Sequence, residues 1–178
     1  FGEIITETED RDESLLAKVK ELQKKCDDGR YDDDNTTSFD NSVESSGDEV
    51  SSSSVSQLAI RALQSLPQAH TPTDKLLHCV EFLEYVSEHF SSSFQGKCID
   101  ADTLLIMTCQ HVVAANIQHL HAEVAFIEEF SRDEQLLSGK EGYALITLQA
   151  SLHYLDSVDE FCGILSPKIL KRKELGGG

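Results

Sequence analysis

Residues 101–154 read ADTLLIMTCQHVVAANIQHLHAEVAFIEEFSRDEQLLSGKEGYALITLQASLHY, and this stretch decides the fold. Apolar residues recur in it at steps of three and four, a spacing that places them on one face of a helix. Three such faces follow one another without an alternating strand pattern. Their members are Leu105, Thr108, Cys109, Val112 and Ala115, then Leu120, Val124, Ile127 and Phe130, then Leu145, Leu148, Leu152 and Leu155. The stretch therefore predicts three consecutive helices of a bundle.

The ends of these helices are marked by polar and small residues. Asp102 stands where an N-cap is expected, because an Asp side chain accepts hydrogen bonds from the first N–H groups of a helix. Asn116 is typical of a C-terminal cap that tolerates positive φ. Ser138 and Gly139 separate the second helix from the third. Turn geometry and close packing account for Gly139 and Gly142.

Two further helices are predicted upstream of this stretch. The first carries an apolar stripe after a run of serines and ends at Pro67, since proline cannot continue a helix. The second begins at Thr71 and Pro72, which supply a polar cap and a proline in the first turn. The two stripes consist of Val55, Leu58, Ala59, Ala62, Leu63 and Leu66, and of Leu76, Leu77, Val80, Leu83, Val86 and Phe90.

The N-terminal part predicts one short amphipathic helix followed by an insert. Asp12 and Glu13 precede the apolar face of this helix and lysines follow it, which complements the helix dipole. Residues 26–54 are acidic, rich in serine and nearly free of large apolar side chains. Such a segment buries too little surface to offset its ordering entropy, so we expect a disordered insert.

The expected class is therefore an all-α helical bundle of about six or more helices with a disordered acidic insert. Its parts are an N-terminal helix at 1–25, the insert at 26–54, a helical core at 55–166 and a basic, glycine-rich tail at 167–178. The chain opens without Met or a basic leader, so we expect the domain to be cut before its first helix.

Charge and cysteine content narrow the possible functions. The net charge of −17 repels nucleic acid and anionic lipid, so neither is expected as a direct partner. No apolar run reaches the roughly 18 residues that a membrane span needs. The five cysteines are odd in number and scattered, which favours a reducing compartment over a disulfide framework. We expect Cys79 and Cys109 to pack as small hydrophobes.

Four short motifs occur in order within the deciding stretch. They are Ala101-Asp102-x-Leu104-Leu105, Ala115-Asn116, Phe126-Ile127-x-x-Phe130 and Ser138-Gly139-x-x-Gly142-Tyr143. Together they resemble the vacuolar-protein-sorting-nine domain, the exchange-factor module for Rab-five-type GTPases. The resemblance implies a guanine nucleotide exchange factor that accelerates GDP release from a Rab-five-like GTPase without covalent chemistry or a cofactor. It also implies a cytoplasmic protein, peripheral on early endosomes and recruited to them by other parts of its parent protein.

The resemblance assigns roles to individual residues. Asp102 is the acidic finger that reaches into the GTPase's nucleotide site, and Tyr143 orients the switch regions and supports the finger. From the residues alone, Asp102 is a helix cap, a role that is compatible with the finger, and Tyr143 is typical of a half-buried packing residue. The position of a family threonine that engages the GTPase corresponds to Ile146 in this chain, and Thr147 lies one residue after it. Both residues are therefore weaker candidates for GTPase binding.

Four positions depart from the family pattern and leave the catalytic strength open. Where the family pattern has a second Asp, a Pro, an aromatic residue and the Thr, this chain has Thr103, Ile106, Ala144 and Ile146, respectively. Two alternatives therefore remain, namely a Rab-binding module without exchange activity and a structural helical domain whose acidic insert recruits regulators. The spacing of His111, His119 and His121 does not match a helical zinc site, so no metal is expected.

Overall fold

The computed structural model describes residues 2–28, 55–94, 98–131 and 137–157. All regular structure within these ranges is helical, which confirms the all-α bundle. The elements are α1 (Gly2–Asp28), α2 (Gln57–Ser65), a 3-10 turn (Leu66–Gln68), α3 (Pro72–Ser93), α4 (Ala101–Ala115), α5 (Leu120–Phe130) and α6 (Lys140–Ser157). None of these six helices is long and apolar enough to cross a membrane.

Helix α4 is the central element of the bundle. It packs against α2, α3 and α6, and residues on nearly all of its sides are buried. A helix surrounded in this way is not described by one apolar stripe. Leu104, Met107 and Val113 are accordingly buried although the predicted face omitted them, whereas Leu105 of that face is only half-buried.

The starts of α2 and α3 agree with the capping signals in the sequence. The hydroxyl of Ser56 accepts the N–H of Ala59 at 3.3 Å, and that of Thr71 accepts the N–H of Asp74 at 3.1 Å. Pro67 ends α2 as predicted, because it lies in the 3-10 turn that follows Ser65. Capping residues and proline therefore predicted these boundaries to within a residue or two.

Helix α1 is longer than the sequence predicted. It begins ten residues before Asp12, and residues 26–28 belong to it rather than to the insert. Its buried face repeats at steps of four, three and four, and α1 packs mainly against α5. This packing stabilises a segment whose β-branched residues favour a helix only weakly. That face consists of Thr8, Asp12, Leu15 and Val19. The rest of the predicted insert, residues 158–166 of the predicted core and the tail at 167–178 lie outside the described residues.

Side chains of α1 bind the ends of two other helices. The Asp12 carboxylate is 2% exposed and accepts the N–H groups of His121 at 2.8 Å and Ala122 at 3.3 Å, at the start of α5. The Lys18 ammonium donates to the carbonyl oxygens of Leu155 at 3.0 Å and Asp156 at 2.8 Å, near the end of α6. The first N–H groups of a helix have no partner within it, so Asp12 caps α5, while Lys18 ties α1 to the last described turn of α6. The sequence predicted that Asp12 lies at the start of its own helix. This prediction is wrong, because Asp12 lies within α1 and binds the start of α5.

A buried ion pair joins the 3-10 turn, α3 and α5. Lys75 and Glu123 are each 4% exposed, and the ammonium of Lys75 donates to the Glu123 carboxylate. The same ammonium donates to the carbonyl oxygen of Leu66 at 2.9 Å. Removal of either partner would leave a buried charge uncompensated, so this pair fixes the 3-10 turn, α3 and α5 in one arrangement.

His111 connects α4 to the residue that precedes α2. Its Nε2 accepts the N–H of Ser56 at 2.8 Å, and its Nδ1–H donates to the carbonyl oxygen of Met107 at 2.7 Å. Both bonds are satisfied only by the neutral imidazole with its proton on Nδ1. Burial lowers the pKa of His111 to about 4, which keeps the ring in that form at neutral pH.

The two cysteines expected in the core are there. Cys79 and Cys109 are fully buried, and burial raises the pKa of each thiol to about 12. Three other residues of the apolar patterns lie on the surface instead, so their assignment to the core was wrong. Leu58 is 53% exposed, Leu77 47% and Phe130 47%. Their helices carry apolar stripes that are wider than the faces they bury.

Candidate functional site

Asp102 occupies the first turn of α4 but does not cap it. The cap is Asp100, which has extended backbone angles and accepts the N–H of Thr103 on Oδ1 at 2.7 Å. The prediction that Asp102 is the N-cap is therefore wrong, because the helix begins at Ala101 rather than two residues later. Asp102 is exposed, at the end of the helix where the dipole favours a carboxylate.

Tyr143 and Ile146 form an exposed apolar face on α6. They are 57% and 63% exposed and lie three residues apart, so they share one side of the helix. The half-buried packing role considered for Tyr143 does not fit this exposure. Because they are adjacent on one side of the helix, they form a small continuous apolar patch rather than two isolated side chains.

Thr147 lies on the same helix, and its hydroxyl bonds within that helix. Its Oγ1 donates to the carbonyl oxygen of Tyr143 at 2.8 Å. Such a bond to the preceding turn is common for threonine and occupies the only proton that the side chain can donate. Ile146 has no donor at all. Neither residue therefore offers a partner the hydroxyl donor that the family threonine supplies.

The structural residues predicted around the site have specific backbone environments. Asn116 is the C-cap of α4 and has a left-handed φ of 49°. Gly139 precedes α6, and its carbonyl oxygen accepts the N–H of Tyr143 at 3.2 Å. Gly142 is buried, and a Cβ there would lie 1.7 Å from the carbonyl oxygen of Leu137. Any side chain at Gly142 would therefore push the preceding segment away from α6.

A cleft of about 370 Å³ opens between α3 and α6. Val80, Leu83 and Ala144 lie at its floor and are 5%, 7% and 3% exposed. Polar and charged side chains and the Tyr143 ring complete its walls. These are Glu84, Ser87, Glu88, Lys140 and Tyr143. The Lys140 ammonium lies 3.4 Å from the Glu84 carboxylate, so one exposed ion pair joins α3 to α6.

Sequence reasoning missed the α3 side of this cleft. Val80 and Leu83 matched a core stripe, and periodicity cannot show that a buried residue also borders a cleft. Glu84 and Glu88 were the available signal, because they lie four residues apart beside that stripe.

The predicted site residues fall into two groups. Tyr143 and Ala144 meet at the cleft, whereas Asp102 is not among the residues that line it. Asp102 lies in the first turn of α4 and Tyr143 in the first turn of α6, and these two helices pack against each other. Of the other departures, Thr103 is buried and Ile106 is half-buried.

Two of the three candidate histidines, His111 and His121, serve the fold. His111 makes the two hydrogen bonds described above, and His121 is buried where its backbone binds Asp12. Burial also lowers the pKa of His121, which disfavours its charged form. Among the residues that the structure describes, no three or more His, Cys, Asp or Glu side chains are arranged to hold a metal ion.

Comparison with known proteins identifies the family. A family model described as the vacuolar sorting protein 9 (VPS9) domain matches residues 56–160, which include α2 to α6 and more than half of the 178 residues. A search of curated proteins gave no match. The match confirms the resemblance that the four ordered motifs indicated. It begins after α1, so the helix that caps α5 and binds α6 lies outside the matched region. The chain belongs to the VPS9 domain family.

Proposed function

We propose that this chain is a guanine nucleotide exchange factor for a small GTPase of the Rab-five subfamily. Membership of the VPS9 family implies a small-GTPase partner and a regulator of that GTPase rather than a covalent catalyst. The observation that carries the finer proposal is the exposed carboxylate of Asp102 in the first turn of α4. Asp100 performs the capping, so Asp102 is not needed for that role.

The proposed mechanism is electrostatic competition in the nucleotide site. A GTPase retains GDP because a lysine and Mg²⁺ offset the charge of the phosphates. A carboxylate inserted there competes for the lysine and repels the phosphates. Two unit charges about 4 Å apart at an effective dielectric constant of about 20 interact by roughly 4 kcal/mol. A thousandfold faster release requires about 4 kcal/mol as well, so one well-placed carboxylate has the necessary size.

The exposed face of α6 is proposed to hold the switch regions of the GTPase. Tyr143 and Ile146 present apolar surface there, but neither Ile146 nor Thr147 offers a hydroxyl donor. A missing neutral hydrogen bond is worth about 0.5–1.5 kcal/mol, or about two- to tenfold in rate. We therefore expect exchange that is slow for the family. The site of action proposed is the cytoplasmic face of early endosomes, reached through other parts of the parent protein.

The occupied Thr147 hydroxyl also favours a second candidate, a module that binds the Rab without releasing its nucleotide. One assay separates the two. Fluorescent GDP release from a panel of purified Rabs should accelerate for a Rab-five-subfamily member and remain at the intrinsic rate for the others. Binding without acceleration would establish the second candidate. Acceleration of a Rab outside the subfamily would contradict the proposed specificity.

A further inference from the structure

We propose that the cleft between α3 and α6 is a second docking site for the same GTPase. It would take an apolar side chain of the GTPase that is flanked by a lysine or arginine. The inference rests on the proposed function for the identity of the partner. It adds a surface on α3 to the contacts already proposed on α4 and α6.

The shape of the cleft suits one large apolar side chain. Its volume of about 370 Å³ lies at the lower end of the range of about 300–1,000 Å³ found for ligand sites. Ala144 contributes only a methyl group at the floor, beside Val80 and Leu83. These three residues are nearly buried by the fold itself. A guest side chain would therefore meet an apolar surface that is already formed.

The charge around the cleft selects a basic flanking residue. Glu84 and Glu88 are both exposed on the α3 wall. Lys140 faces Glu84 across the opening, but an exposed ion pair of this kind contributes little and separates easily. The chain as a whole carries a net charge of −17. An acidic segment would therefore be repelled from the cleft, whereas a lysine or arginine would be attracted to it.

Tyr143 makes the cleft continuous with the proposed GTPase surface. Its ring lines the cleft, while more than half of the residue remains exposed on the face that also carries Ile146. A protein that covers Tyr143 and Ile146 must pass over the edge of the cleft. The GTPase is therefore the occupant that the geometry favours.

Two substitutions test the cleft by independent means. Ser87→Trp fills it from the α3 wall, where Ser87 is half-buried, and Glu88→Lys reverses the charge at its rim. Glu9→Lys is the matched control, because it makes the same charge change on an exposed residue of α1. Fluorescent GDP release from the responsive Rab is followed while the concentration of this protein is varied. The melting temperature of each variant is measured alongside.

Both cleft variants should raise the concentration for half-maximal release, by about tenfold for Ser87→Trp and about threefold for Glu88→Lys, a range typical of filled pockets and rim charges. The maximal rate should stay near that of wild type, because Asp102 is unchanged, and Glu9→Lys should alter neither value. Glu88→Lys keeps the test valid if Ser87→Trp fails to fold.

Unchanged half-maximal concentrations, a fall in the maximal rate alone, or an equal effect of Glu9→Lys would overturn the docking site. Binding to nucleotide-free Rab, measured with the same variants, separates this inference from the proposed exchange. If wild type binds a Rab but leaves release at the intrinsic rate, the exchange function fails. The cleft then stands if Ser87→Trp and Glu88→Lys weaken binding. If wild type binds none of the Rabs, both proposals fall.

Discussion

Single polar residues in the core determine how the helices of this domain are joined. Asp12, Lys75 and His111 are each nearly or fully buried, and each binds groups of another element. Most of these partners lie more than 40 residues away, so no local pattern could reveal them. Asp12 did carry a signal, since it lies three residues before Leu15 on an apolar face. A carboxylate at such a position predicts a distant partner rather than a local one.

Asp12→Ala should destabilise the fold clearly. The substitution leaves the first N–H groups of α5 without a partner, and a buried hydrogen bond of this kind to a charged group is worth about 1–3 kcal/mol. Urea denaturation followed by circular dichroism gives the change in the free energy of unfolding. Asp10→Ala, at an exposed position of the same helix, should change it by less than about 0.5 kcal/mol. Equal effects of the two substitutions would show that Asp12 is not a cap.

His111 should make the fold sensitive to mild acid. Its pKa in the folded protein is about 4, below the 6.5 of an unperturbed histidine. As the pH falls through 6.5, the unfolded chain therefore binds a proton that the folded chain does not. The free energy of unfolding should decrease between about pH 6.5 and pH 4, by about 3 kcal/mol from this residue.

The variant His111→Gln isolates this contribution, because the amide oxygen of the glutamine can still accept the N–H of Ser56. Urea unfolding at several pH values should give a shallower decrease for the variant than for wild type. The variant retains the smaller effect of His121, whose pKa is also lowered by burial. Parallel curves for the two proteins would contradict the linkage to His111.

At the scale of the helices, boundaries were predictable where the sequence contained a single capping signal. Pro67 and Thr71 each had no competitor nearby, and their roles were predicted correctly. Before α2 the sequence offered a run of serines, and only the structure selects Ser56 as the cap. Asp100 and Asp102 both have the chemistry of a cap, and only the backbone geometry decides between them. The start of α1 was not predictable, because its first turns contain β-branched residues and acquire their stability from packing on α5.

Removal of α1 should destabilise the whole bundle even though α1 lies outside the family match. A chain that begins at residue 55 loses the cap of α5, the Lys18 bonds to α6 and the buried side chains of Leu15 and Val19. We expect a much lower melting temperature or no cooperative transition. Replacement of residues 29–52 by a glycine-serine linker of the same length is the contrasting variant, because it keeps α1 joined to α2 and should change the melting temperature little. A melting temperature unaffected by loss of α1 would show that α2 to α6 fold independently.

At the scale of the whole molecule, the two parts of the candidate surface differed in how far the sequence revealed them. Asp102 and Tyr143 were predicted from an ordered set of motifs, whose spacing follows from consecutive helices. The cleft combines residues of α3 and α6 that lie about 60 positions apart. The floor of the cleft consists of buried apolar residues, which the sequence pattern does not distinguish from ordinary core residues. The sequence therefore contained the residues of the cleft, but only the packing of α3 against α6 shows that they form one.

Nucleotide release by two aspartate variants tests the central claim most directly. Asp100→Ala removes the cap of α4 and should cost about 1 kcal/mol of stability while exchange continues. Asp102→Ala should leave the unfolding free energy close to that of wild type and abolish the acceleration of GDP release from the responsive Rab. This reciprocal pattern is the result that an acidic finger at Asp102 predicts. Wild-type release rates from a folded Asp102→Ala variant would contradict it.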